Sequence, residues 1–474
     1  MYYSKKYNVR QPERKKVALS NFVGYDENKI SRDLPCDYVD CVYNYKFKNN
    51  KLVNLYGVSE FKIGDYVFPP TPQITGKRGV YCATMFVDNA PRFTILISHE
   101  GGIDFCVKGD SDWRHVDKPR AYTCGAIYYI NSDPCLFLAG ERGVEWFANN
   151  VFYTAIEKNV IDICVHYERL FIVVAEKHNS VWFCKSGNPM EWDHDINKGG
   201  YINFDGTLGE VNTIKSFNNY LYIFCDYGIY RLTAYGDQTQ FNLKKIYTSS
   251  GRIYAKSVTL CGEYIAFAGE DGIFLFDGYD VSRYTTKINN LISSGFDDLS
   301  ACYSHHKYIV SFTNDAKTNY GVFNEERGNN TLLVFDIESA GVELMRGVSL
   351  KHICAVNEKE YSKVVALSED SDTFVQLDES GLYLGKPMLK YWESGKIDFS
   401  RPADVKMIRS VEYSAKSDYY LGIICNGERK EFLLSAKEKK KPIYTKGKEF
   451  KFYIRSDNAV DEILPPTLVV DFLK

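Results

Sequence analysis

One phrase recurs along this chain: an apolar run, a short polar turn that often carries glycine, then a second apolar run. Seven copies are read, at 94–98 and 103–107, 135–139 and 144–147, 170–175 and 181–184, 220–225 and 229–232, 264–268 and 273–276, 308–312 and 332–335, and 364–367 and 374–377. The turns include Glu100-Gly101-Gly102, Glu141-Arg142-Gly143, Asp226-Tyr227-Gly228 and Glu270-Asp271-Gly272. Glycine there takes the positive φ of a tight hairpin without a Cβ clash. The second runs begin 41, 37, 48, 44, 59 and 42 residues apart. The long step contains the polar stretch 314–330, an insertion at a hairpin tip, where added residues cost little loop-closure entropy. A further apolar stretch precedes the hairpins, at 80–86, 126–130, 161–166, 211–214, 257–261, 301–303 and 352–356, and less regular outer strands follow, as at 151–155 and 241–247. Four strands per ~40 to 50 residues is the period of a propeller blade.

The fold expected is therefore all-β: a β-propeller of six or seven blades over 70–384, an N-terminal extended arm with lead-in strands over 1–69, and a C-terminal β-sheet or sandwich over 385–474. Stacked sandwiches also give short, regularly spaced strands. Uniform spacing with no break in composition favours the propeller, although the Gly-His and Trp-Asp signature of WD40 blades is missing. The 71 aromatic residues suit pleated, half-buried surfaces. No apolar run reaches the ~20 residues of a membrane helix, and the opening lacks the apolar segment of a secretory signal, so no membrane-spanning segment and no export by that route are expected.

The two ends differ from the middle. Residues 1–20 carry Lys5, Lys6, Arg10, Arg14, Lys15 and Lys16 against Glu13 alone, which reads as a mobile basic arm. Beyond Pro387 the phrase stops and longer alternating strands follow at 405–413, 419–426, 430–434, 450–454 and 468–473. Between two of them Lys437, Lys439, Lys440 and Lys441 form a basic hairpin tip that could touch phosphates by charge, although Lys-rich tips also serve as solubilising or edge-protecting faces. With 58 basic and 61 acidic residues the chain is not a generally basic nucleic-acid binder, so any contact with DNA is local.

Little points to catalysis. The 13 cysteines lie singly, mostly within apolar strings, and read as reduced, buried small hydrophobes. Of the eight histidines only His305-His306 are adjacent, and successive strand residues point to opposite faces. The acids, including Asp193, Asp195 and Asp271, fall mainly at turns, where solvated Asp and Glu are expected. Phosphate-cradling glycine motifs are absent. Neither a metal, a cofactor nor an enzymatic activity is expected.

The stretches Ser186-Gly187-Asn188-Pro189 to Trp192, Gly200-Tyr201-Ile202, 220–224, 228–232 and Gly272-Ile273-Phe274 resemble propeller segments of virion proteins of tailed bacteriophages and prophages. The opening is similar as well, with Leu34-Pro35, Cys41-Val42-Tyr43-Asn44-Tyr45 and Lys51-Leu52 ahead of Gly57, and so is the close at 395–399. The resemblance is nearest to the podovirus tail proteins called packaged-DNA stabilisation proteins or tail nozzles. It implies a structural virion protein assembled in host cytoplasm. Several copies, commonly six, would form a ring below the portal and adaptor, close the DNA path after packaging and extend the tail. It carries over no catalytic residues. In such a ring the basic arm and the Lys437–Lys441 tip are the candidate contacts to neighbouring subunits or DNA. The alternative is a receptor-binding or tailspike-like propeller that grips host-surface glycans, with or without glycoside hydrolase activity. A cellular protein-interaction propeller is a third option.

Overall fold

The computed structural model describes residues 12–25, 34–36, 38–72, 78–118, 121–175, 179–285, 299–314, 328–358, 361–368 and 371–473. They group into two compact units, one within 60–340 and 348–377, the other within 1–59, 341–347 and 378–474.

In the first unit seven sheets succeed one another among the described residues; the first five are four-stranded antiparallel meanders in which chain order is spatial order, and the sixth and seventh begin with three strands arranged in the same way. The first is made of Arg78–Val87, Ala90–His99, Gly102–Val107 and Arg114–Val116, and the seventh begins with Leu350–Glu358, Tyr361–Ser368 and Thr373–Asp378. The expected hairpins are all present, each second run beginning one residue earlier than read, at Gly102, Gly143, Ser180, Gly228, Gly272, Thr331 and Thr373. The middle strands are largely apolar because neighbouring sheets cover both their faces: Gly102–Val107 and Arg169–Val174 are buried at every position, Asp104 and Arg169 included. Glycine at 143 is a steric demand, since a Cβ there would lie 2.2 Å from the Ile156 carbonyl oxygen. The insertion falls between Lys307–Phe312 and Thr331–Asp336, with 315–327 outside the described residues.

Sheet packs on sheet around the ring. Phe105, Leu136 and Phe147 join the first to the second; Phe137, Ile172 and Val174 the second to the third; Phe171, Phe183, Ile223 and Leu232 the third to the fourth; Phe224, Phe267 and Phe276 the fourth to the fifth. The ring closes where Val365, Leu367 and Phe374 of the last sheet share a core with Phe93, Ile95 and Ile97 of the first and with Phe61, Ile63 and Phe68 of the chain leading into it. The Phe61 amide donates to the Phe374 carbonyl at 2.9 Å and the Thr71 amide to the Asp372 carbonyl at 2.8 Å. Closure covers the apolar faces of the first and last sheets that would otherwise be left exposed.

The second unit differs from the expected division at 69/70 and 384/385. The described strands up to Asn54 do not form a part of their own but share sheets with the C-terminal ones, while Lys62–Ile63 and Tyr66–Val67 pair with each other. One sheet runs Glu13–Ala18, Thr467–Leu473, Val405–Glu412, Lys440–Gly447; another runs Gly24–Tyr25, Tyr38–Tyr43, Lys390–Ser394, Lys451–Ser456, Tyr419–Cys425, Glu428–Leu434. Asp461, 3 % exposed, ties the ends together. It pairs with the buried Lys390 ammonium at 3.3 Å, accepts from the Tyr45 hydroxyl at 3.3 Å and from the Ser417 hydroxyl at 2.6 Å, while its amide donates to Asn54 Oδ1 at 3.0 Å. Lys390 titrates below the ordinary lysine range because burial penalises its charge. Phe22 meets Trp392 edge to face at 5.6 Å. Among the described residues no helix is long and apolar enough to cross a membrane.

Phe374→Ala is expected to destabilise the propeller unit by about 3–5 kcal/mol, the cost of emptying an aromatic site in a core. Leu433→Ala, at a position 45 % exposed in the other unit, serves as the control. Urea denaturation followed by tryptophan fluorescence measures both, and a loss at 374 no larger than at 433 would contradict the closure.

Candidate interaction surfaces

Lys5, Lys6 and Arg10 lie outside the described residues. Arg14, Lys15 and Lys16 do not belong to a mobile arm: they lie on Glu13–Ala18, which pairs antiparallel with Thr467–Leu473. Alternation along that strand sends Arg14 and Lys16 to one face, where the acids of the neighbouring strands await them. Arg14 Nε donates to Asp471 Oδ1 at 2.7 Å, and Arg409 binds the other oxygen of the same fully buried carboxylate. Lys16 reaches Glu412 at 2.8 Å, with Lys440 3.6 Å from the same carboxylate. Lys15 approaches Glu13 at 3.2 Å, and Arg401 approaches it at 2.8 Å.

The expected tip at 437–441 is a connection between sheets and not a hairpin. Glu428–Leu434 and Lys440–Gly447 belong to different sheets, so Lys437 and Lys439 sit on the crossover while Lys440 and Lys441 open a strand. Lys441 lies 4.0 Å from Glu438. The polar composition of 440–447 hid that strand, although Ile443, Thr445 and Gly447 are buried at every second position.

These pairs shift the acids downward. The hydrogen bond from Arg14, then that from Arg409, holds the Asp471 carboxyl below the usual carboxylate range, and Lys416 and Lys51 lower Glu462 to about 2.

The propeller presents a different surface. In a four-stranded meander the first and third turns emerge at one end of the sheet. At that end Tyr167 occupies a first turn, Tyr220 follows one, and Tyr235 and Tyr279 occupy third turns. Tyr235 and Tyr279 are 68 % and 70 % exposed. Tyr167 meets Tyr235 edge to face at 5.1 Å, and the Arg231 guanidinium lies 4.5 Å from the Tyr220 ring and 5.9 Å from that of Tyr279. The third, fourth and fifth sheets thus share a continuous tyrosine and arginine face. An open groove of about 270 Å³ lies between the third and fourth sheets, lined by Phe183, His194, Tyr201, Gln238, Phe241 and Leu243 among others, with Tyr201 stacked on Trp182 at 5.1 Å.

The remaining residues singled out by the sequence fall as follows. His305 and His306 form a turn with φ of 49° and 62° and so do not belong to a strand. Asp193 and Asp195 surround Lys198 at 3.5 and 3.9 Å, and Asp271 accepts from the Ser250 hydroxyl at 2.8 Å. The 186–192 stretch is a turn closed by Trp192 Nε1 donating to the Pro189 carbonyl at 2.8 Å. Burial raises the Cys164 thiol to about 11 and Cys184 to about 12. Spacing missed two groupings that strand register creates: the tyrosine face, and His99 and His115 converging on Asp104.

No family model and no curated protein matches the chain. Solved structures similar in fold include BBS1N in complex with ARL6DN, at 8 % identity over 69 % of this chain and 96 % of that one, TM-score 0.43. The Cps50 (Swd1) β-propeller domain of Myceliophthora thermophila is 9 % identical over 60 % and 92 %, TM-score 0.40. The extracellular domain of the putative one component system BT4673 of B. thetaiotaomicron is 11 % identical over 89 % and 60 %, TM-score 0.43.

Because the Asp471 and Glu462 carboxyls titrate lower when folded than unfolded, the stability they add is present above about pH 4 and is lost as pH falls through their folded values. Asp471→Asn is expected to cost about 1–2 kcal/mol at neutral pH. The difference between its thermal denaturation curve and that of the unaltered chain should shrink as pH falls below about 4. A constant difference across that range would refute the pairing.

Proposed function

We propose that this chain is a structural, ring-forming component of a tailed-phage virion, part of the tail nozzle or head-to-tail connector that closes the DNA channel and extends the tail. In this reading the seven described sheets are the blades of one propeller, copies of the chain, six in number, associate with one another and with portal, adaptor and other tail proteins, and assembly takes place in host cytoplasm. The observation that carries it is the tyrosine and arginine face. Tyr and Arg are enriched in the buried centres of protein interfaces, where they supply large contact area at low conformational cost. Tyr167, Tyr220, Arg231, Tyr235 and Tyr279 bring that chemistry together across three sheets. The basic residues fit a secondary role. Arg14, Lys16 and Lys440 hold acids of their own unit, which leaves Lys437 and Lys439 on the crossover as the more available charges for a neighbour or for DNA.

A specific observation favours a second reading, host-surface glycan binding. The groove beside Tyr201 and Trp182 offers a stacking platform with His194 and Gln238 at its edge, which suits a sugar ring.

One comparison separates the two. Native mass spectrometry and electron microscopy of the purified chain, alone and with a portal–adaptor complex, are expected to give a closed ring of six. Combined Tyr235→Asp and Tyr279→Asp should weaken association by at least ~30-fold, about 2 kcal/mol, with folding unchanged, because both positions are open to solvent. A monomer that ignores the portal complex but binds capsular or wall polysaccharide, and loses that binding in Tyr201→Ala, would overturn the assembly reading in favour of the second.

A further inference from the structure

The first sheet of the propeller carries a grouping that assembly does not use. His99 ends the strand Ala90–His99, Asp104 lies in Gly102–Val107 and His115 in Arg114–Val116. In register His99 faces Gly102 and Asp104 faces His115. Alternate residues of a strand share a face, so the three side chains leave the sheet on the same side. Glycine at 102 keeps that side open: a Cβ there would come within 2.7 Å of the His115 ring. Asp104 is 5 % exposed, and each of its carboxylate oxygens meets one imidazole, His99 Nε2 at 2.8 Å and His115 Nδ1 at 2.7 Å. The far nitrogens are engaged too. His99 Nδ1 accepts from the Gly101 amide at 3.1 Å, and His115 Nε2 donates to Asp117 at 3.3 Å.

We infer that His99, Asp104 and His115 bind one zinc-class divalent cation, which pins the outer strand Arg114–Val116 to the hairpin beside it. Two imidazole nitrogens and one carboxylate oxygen, all within 4.8 Å of one another, are the donor set such ions prefer. With metal–ligand bonds of about 2.0–2.1 Å, tetrahedral ligands stand about 3.3 Å apart, so the present nitrogen–oxygen contacts widen by about half an ångström while the other ligand separations, now within 4.8 Å, close toward the same value. Asp117 on the opposite nitrogen of His115 supplies the carboxylate that orients a metal-bound histidine. Three protein ligands leave a position for water. Coordination moves the His99 proton from Nε2 to Nδ1 and gives up the Gly101 contact, which lies in an exposed turn able to swing, while the Nδ1 proton of His115 leaves to solvent.

The test uses the full chain after treatment with a chelator. Calorimetric titration with Zn²⁺ is expected to show one equivalent bound, with affinity at least tenfold lower in His115→Gln and in His99→Gln. Zn²⁺ should raise the melting temperature of the unaltered chain and leave that of His115→Gln unmoved. His115 lies on a short outer strand and is exposed, so this variant is expected to fold. Co²⁺ should give the visible bands of a nitrogen and oxygen site. Absence of stoichiometric uptake, affinity in the two variants unchanged from that of the unaltered chain, or thiolate-to-cobalt charge transfer, which would assign the ion to cysteines, would each overturn the inference.

Discussion

A ring of sheets is stable only if the last is bonded to the first, and here that bond is a shared core of Phe61, Phe68, Phe93 and Phe374 with backbone hydrogen bonds across it. The other contacts between the described sheets of the propeller are between neighbours in sequence, so each is more local than the seam. The seam brings together residues about three hundred positions apart, with the loop-closure entropy that such separation entails. Its aromatic content follows. Phe61 and Phe68 stack at 5.3 Å and Trp113 stacks on Phe374 at 6.0 Å, which concentrates buried area where the entropic cost is greatest.

Convergence on an axis sets a second constraint, at the innermost strand of each sheet. Strands that approach a common axis are crowded where they face one another, as where the Tyr81 ring lies 2.8 Å from the place of a Cβ at Gly125. Among the described residues six of the seven innermost strands carry a cysteine: Cys82, Cys124, Cys164, Cys261, Cys302 and Cys354. Their thiols titrate high where a shift is resolved, mainly through burial and, for Cys82, through Cys354 beside it on the facing strand of the seam. A small apolar group that stays protonated is what such a place requires. Cysteines that looked scattered in the sequence are thus placed by the geometry of the ring.

The propeller was legible because its signal is local. A strand buried on both faces reads as an unbroken apolar run, and a tight turn demands glycine at a fixed place, so hairpins announce themselves within ten or so residues. The terminal unit was harder to read because its pairs are remote. Glu13–Ala18 looks like a charged tail until Thr467–Leu473 lies beside it and offers Asp471 to Arg14. Lys440–Gly447 reads as a basic run because half of its side chains face solvent. The candidate surfaces were invisible for the same reason. Asp104 and His115 are eleven residues apart and adjacent only through strand pairing, and Tyr167 meets Tyr235 only because their sheets are neighbours.

Magnitudes decide between the two kinds of surface the protein offers. Exposed ion pairs such as Lys16 with Glu412 add little, because water and salt screen them, and charges farther apart than about 10 Å are screened at ordinary ionic strength. Moreover, a cation already satisfied by its own carboxylate must give up that partner to serve another. Exposed tyrosines have no such competing partner of like strength. Each ring can transfer most of its area from water to an interface, at about 25 cal/mol per Å² of apolar surface, and its hydroxyl can still reach a hydrogen-bond acceptor. A contact built on the tyrosine face would therefore persist in salt that abolishes a contact built on the lysines of 437–441, and the salt dependence of association reports which face of the molecule does the holding.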